Sequence, residues 1–160
     1  MNPNLETHNA LHRLVHDIAA RATVAVGLAA IGVIHLVDAI GKYSETRYLF
    51  WMYIALILGS IAVAGLVLFT RRRAAFLAAA ALAASAAVGY VLSRTTGLPN
   101  ATGDIGNWVE PLGLASLFVE GSVVAVGLAA FFKTRGLAAD APAPARTPRQ
   151  AGASRRMQTA

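Results

Sequence analysis

A chain of 160 residues that is 56% hydrophobic and 14% charged is more apolar than ordinary soluble domains. It has no cysteine, which excludes disulfides, thiolate metal ligands, iron–sulfur clusters and cysteine nucleophiles together. Its formal charge of +6 lies mainly after Phe132, where six lysines and arginines face the single acid Asp140; attraction to anionic lipid head groups accounts for that, and no aromatic-interleaved basic face points to nucleic acid.

Residues 1–21 do not have the form of a secretory signal, because the polar lead is acidic and the apolar run that follows has the length of a span. Leu11, Leu14, Val15 and Ile18 recur at helical spacing opposite Arg13 and Asp17, which predicts a short amphipathic helix on the membrane surface. His8, His12 and His16 stand one turn apart along one flank. Two such histidines can share a metal, but no acid or cysteine completes a zinc or nickel site, and a solvated helix edge explains them.

Four apolar blocks each reach the roughly 20 residues needed to cross a bilayer. They predict spans over about 22–40, 48–69, 74–93 and 112–132. Tyr48, Trp51 and Tyr53 open the second span with rings suited to the head-group layer, and Arg71, Arg72 and Arg73 stop it. Ten alanines between Ala74 and Ala87 make the third span suited to close packing inside a bundle. In the fourth, Gly121, Ala125 and Ala129 form a small-residue ridge of the same kind. The heptapeptide VAVGLAA occurs at 24–30 and again at 124–130, but the flanks differ, and the shared composition of the spans explains the echo.

The fold expected is therefore an all-α integral membrane four-helix bundle, preceded by a cytoplasmic segment (1–21) and followed by a disordered basic tail (134–160). With the N-terminus inside, Arg13, Arg21, Arg71 to Arg73, Lys133, Arg135 and the tail share the inner side, and only Lys42, Arg47 and Arg94 face out. The positive-inside rule then predicts N-in, C-in topology.

That topology brings the polar residues of the spans to the outer side. His35 and Asp38 lie one turn apart near the outer end of the first span. Glu120 lies eight residues past Leu112, roughly 12 Å along the fourth helix. Ser116 precedes it by one turn, Arg94 caps the third span, and Glu45 and Glu110 belong to the outer loops. An ionisable group within a span costs at least ~2.5–3.5 kcal/mol on insertion scales, so such groups face the interior and pair. Three readings stay open. Arg94 pairs with Asp38 or Glu120 in a structural network that pins the long third loop; His35 and Glu120 form a proton or metal-cation site; or the loop covers a small-molecule or lipid pocket.

The third loop carries Gly97, Gly103 and Gly106, the stops Pro99 and Pro111, and Asn100, Asp104 and Asn107, which form local side-chain turns. Trp108 is expected as an interfacial anchor. Asn100-Ala101-Thr102 matches a glycosylation sequon, discounted because nothing indicates a eukaryotic secretory context. Only one histidine lies within a span, too few for a two-ligand haem, and no nucleophile elbow, P-loop or HExxH motif is present. No enzyme activity and no cofactor are expected; a metal ion, were one bound, would fall to His35 and Glu120.

The stretch Ser93–Pro99, SRTTGLP, followed by Glu110-Pro111 and Glu120, resembles a family of small four-helix membrane proteins from high-GC, actinobacterial-type bacteria. In that group a histidine ends the first span and a PEHxxE-like segment follows. His35, Tyr43 and Glu45 fit that pattern, whereas Gly41 and Lys42 stand in place of its acid–histidine pair. The resemblance covers roughly residues 30–125. It implies the four-helix architecture and a shared outer site but no named activity, and the departure removes a second metal ligand. The sequence thus predicts a non-enzymatic multi-pass protein, an accessory or interaction subunit. The alternative is a small transporter or sensor for a proton or metal cation. Its partners would be the bilayer, anionic lipid and a second copy or another membrane protein.

Overall fold

The computed structural model describes the backbone of residues 3–139 and, within it, the side chains of residue 5 and residues 7–133. The described residues form four helices: α1 (Pro3–Glu45), α2 (Arg47–Phe69), α3 (Ala74–Thr95) and α4 (Pro111–Ala139). All four are long and apolar enough to cross a membrane. They pack as a ring in which α1 touches α2 and α4, and α3 touches α4 and α2.

The helix ends differ from the sequence expectation in ways the chain explains. No glycine or proline separates the amphipathic segment from the first span, so α1 runs unbroken for 43 residues, roughly 64 Å at 1.5 Å per residue. A hydrocarbon core is only about 30 Å thick. Its N-terminal third therefore stands clear of the bundle, with Leu11, Leu14, Val15 and Ile18 exposed. At its other end α1 continues to Glu45 and turns on Thr46 alone, so Glu45 ends a helix rather than lying in a loop. Pro111 opens α4, where its missing N–H costs nothing. Residues 134–139, expected to begin a disordered tail, continue α4 as helix, and 140–160 lie outside the described residues.

The core sits between the middle of the bundle and the end bearing Arg71 to Arg73. It joins Val24, Leu28 and Ile31 of α1, Val67 of α2, Phe76, Ala79 and Ala83 of α3, and Val123 of α4. The alanines of α3 do what their size allows. Ala75, Ala79, Ala80 and Ala83 are buried, and the helix approaches α4 so closely that a Cβ on Gly127 would lie 3.0 Å from the Phe76 carbonyl oxygen. The expected ridge on α4 is not the packing face. Gly121, Ala125 and Ala129 are exposed, and the buried face reads Ser116, Glu120, Val123 and Gly127. Small residues permit close approach, but burying valine and the polar pair outweighs burying a row of alanines.

One half-buried cation fastens this end of the bundle. Arg21 pairs with Asp17 at 2.8 Å and donates at 2.6 Å to both the Val67 and Thr70 carbonyls, where α2 ends. Its guanidinium also lies over the Phe76 ring, 5.3 Å from the centroid. The last carbonyls of a helix have no intrahelical donors and carry negative partial charge, so a guanidinium suits them. Arg21→Ala should lower stability by about 1.5–3 kcal/mol, the contribution of a hydrogen bond to a charged group. Detergent-titration unfolding of the full chain measures this, and an unchanged midpoint would refute the role given to Arg21.

Candidate functional site

Towards the loop end the close-packed core gives way to a cavity of about 610 Å³. Its two sides differ in character. α1 and α4 contribute His35, Asp38, Ser116 and Glu120, whereas much of the α2 and α3 lining is apolar, from Met52, Ala55 and Leu56 to Leu82, Ala86 and Gly89. Leu82 closes the floor against α2, where a Cβ on Gly59 would lie 3.4 Å from it. Asp104, Asn107 and Glu110, with Leu98 and Ala101, belong to the roof.

The roof is an ordered turn system. Gly97, at φ 74°, bends the chain so that its N–H reaches back to the Leu92 carbonyl at 3.0 Å and ends α3. A tight turn follows at Leu98–Ala101, with Pro99 second and Asn100, at φ 56°, third, where asparagine tolerates the left-handed region. Tyr48 of α2 donates to the Pro99 carbonyl at 2.7 Å, and Tyr90 of α3 donates to that of Trp108 at 3.2 Å. The Tyr90 and Trp108 rings meet edge-on at 6.2 Å.

Arg94 holds this roof from both its main chain and its side chain. Its carbonyl accepts the Gly106 N–H at 2.9 Å. Its guanidinium, only 6% exposed as a residue, pairs with Asp104 at 3.1 Å and Glu110 at 2.6 Å and lies over the Tyr90 ring. The sequence expectation that Arg94 pairs with Asp38 or Glu120 is thus corrected. The loop acids lie nearer in the chain and are themselves partly exposed, where charge is cheaper to hold.

Glu120 lies beyond that network. It is 1% exposed, and its Oε1 accepts from the Ser116 hydroxyl at 2.7 Å. The His35 Nε2 stands 3.8 Å from the same oxygen, and Oε2 has no hydrogen-bond partner. His35 Nδ1 lies 2.9 Å from the Ile31 carbonyl, which can only accept, so Nδ1 carries the hydrogen. In the neutral ring Nε2 then presents a lone pair towards the carboxylate. Tyr53 packs edge-on against His35 at 5.2 Å, and its hydroxyl lies beside Asp38. Among the described residues neither Asp38 nor Glu120 has a lysine or arginine within ion-pair distance.

Of the residues singled out from the sequence, the cavity gathers His35, Asp38, Arg94, Asp104, Glu110, Ser116 and Glu120. Glu45 is not among them; it pairs with Lys42 at 3.1 Å, on an exposed turn. Pro99 and Trp108 serve the roof through their carbonyls. Sequence reading missed Tyr53 and Tyr90 as site residues, although a tyrosine one or two turns inside a span was the signal available. His35 and Glu120 do not form part of a larger ligand group: among the described residues no set of three or more His, Asp or Glu side chains is placed to hold a metal. Ser116 donates its hydrogen bond to a carboxylate, and the imidazole faces that carboxylate too, so the serine–histidine–acid relay of acyl transfer is not formed by these residues.

No family model matches the chain, and no curated protein or solved structure matches it either.

Arg94→Gln removes both charged contacts of the roof while leaving its carbonyl in place. Each such contact is worth about 1.5–3 kcal/mol, so hydrogen exchange at Gly106 and Ala101 should speed up by roughly tenfold or more, with the Val24 to Ile31 core unaffected. Unchanged exchange in the loop would show that the turns alone hold it.

Proposed function

We propose that this chain is a non-enzymatic multi-pass membrane protein that binds a small organic cation bearing N–H donors in its loop-end cavity, as an accessory or sensing component rather than a catalyst. The observation that carries this reading is Glu120, buried to 1% with Oε2 unpartnered and the His35 Nε2 3.8 Å from its other oxygen. Buried acceptors without donors are costly, and an intramembrane acid by default marks a ligand or ion path. An ammonium group brings the donors this site lacks. The terminal torsion of a glutamate is broad, so a small rotation brings a carboxylate oxygen to the cavity surface. The lining holds four acids, Asp38, Asp104, Glu110 and Glu120, against Lys42 and Arg94, and Arg94 is already committed to two of them. The volume falls within the range of small-molecule sites.

A metal-cation role is the weaker alternative, since His35 and Glu120 together offer only two strong donors. The bacterial cytoplasmic membrane, N-in and C-in topology and tail contact with anionic lipid belong to the same proposal. They are supported by Arg13, Arg71 to Arg73 and Lys133 at one end of the bundle, against the acid-paired Lys42 and Arg94 at the other. So does kinship with the four-helix family that the SRTTGLP pattern resembles. A second copy or another membrane protein is the expected partner class.

Thermal unfolding of the purified chain with ethylammonium tests the reading. Ligand at 100 times its Kd adds about 2.7 kcal/mol of stability, a clear rise in Tm. Glu120→Gln should abolish that rise while leaving the chain folded, because the amide keeps an oxygen acceptor for the Ser116 hydroxyl and removes the charge. No shift with ethylammonium in the wild type would sink the cation site. Stoichiometric zinc that disappears in His35→Ala would restore the metal alternative.

A further inference from the structure

The cavity is polar on one side and largely apolar on the other, and the position of its opening adds a constraint. On the loop side the roof is tied down at Arg94 to Asp104 and Glu110, at Tyr48 to Pro99 and at Tyr90 to Trp108, although Asp104, Asn107 and Glu110 line the cavity and reach the surface there. The side between α2 and α3 is different. These two helices touch less extensively than any other neighbouring pair in the ring. Met52 and Ala55 of α2 and Ser85 of α3 line the cavity and are also exposed, which leaves an opening between them. Small side chains, Ala55, Ser85, Ala86 and Gly89, keep that gap wide. In a bilayer this gap faces hydrocarbon, and the polar groups of α1 and α4 lie across the cavity from it.

We infer that the ligand is an amphiphilic amine with a single hydrocarbon chain, which enters sideways from the bilayer between α2 and α3. The inference rests on the reading of Glu120 as a cation site and names the class of cation. The ammonium group crosses to the α1 and α4 wall, where Glu120, His35 and Asp38 accept its hydrogens. The chain lies against Met52, Leu56, Leu82 and Ala86 and extends through the gap towards lipid. A fully hydrated cation would gain nothing from that apolar wall. A neutral lipid tail would leave the carboxylate as unsatisfied as before.

The test uses the full chain in phosphatidylcholine nanodiscs with three probes: octylammonium, ethylammonium and 1-octanol. Octylammonium should bind at least about tenfold more tightly than ethylammonium, because each methylene buried against the apolar wall favours binding. Ala55→Phe narrows the gap at an exposed position that folding tolerates. It should lower the preference for octylammonium over ethylammonium several-fold. Equal affinity for the two amines overturns the amphiphile and leaves the cation site standing. A preference unchanged by Ala55→Phe overturns the lateral route. 1-Octanol binding as tightly as octylammonium, or none of the three binding, overturns the cation reading along with it.

Discussion

Everything at the loop end depends on where Arg94 spends its charge. A guanidinium that is 6% exposed at the end of α3 must be paired, and the loop supplies two acids for it. By pairing with Asp104 and Glu110 it draws the third loop down over the bundle, and its own carbonyl fixes the loop again at Gly106. The cavity has a roof for that reason. The same choice leaves Asp38 and Glu120 without a permanent cation, so the roof and the unsatisfied carboxylate are two results of one pairing.

The rest of the bundle divides the labour along the helix axes. At the Arg21 end alanine, glycine and valine allow α1, α3 and α4 to close, and Arg21 locks the last carbonyls of α2 into the core. At the loop end the same small residues on α3 do the opposite. Ser85, Ala86 and Gly89 have no partner deep enough to fill the space opposite them, so a gap remains. Alanine-rich sequence therefore gives close packing where a neighbour approaches and a void where it does not. Stability is concentrated in one half and accessible volume in the other, an arrangement suited to a binding site that must tolerate an occupant.

Several residues were legible for what they are and misplaced in what they do. Glu120 and Ser116 were correctly expected on one face, because a four-residue separation on a helix fixes that locally. Arg94 was recognised as a cap but expected to pair with Asp38 or Glu120, since loop closure over Gly97, Asn100 and Gly106 is decided by backbone turns that bring Asp104 and Glu110 round. Gly121, Ala125 and Ala129 satisfied a packing pattern yet face outward. A helix carries several faces with small residues, and which one is buried depends on what the neighbours offer. Arg21 read as an inner-side charge, whereas its carbonyl partners lie 46 and 49 residues away in the chain.

What the sequence determined by itself was the number, type and approximate position of the helices. Apolar run length and helical period are local properties, and hydrogen bonding within each helix satisfies its backbone without help from elsewhere. It also determined which polar residues would share the loop end, because four consecutive antiparallel helices alternate direction. Only the tertiary structure decided that α1 continues unbroken into its amphipathic segment, which face of α4 is buried, and that Arg94 serves the roof instead of the cavity. Those outcomes come from competition between contacts distant in sequence, and a cavity is the space such a competition leaves unfilled.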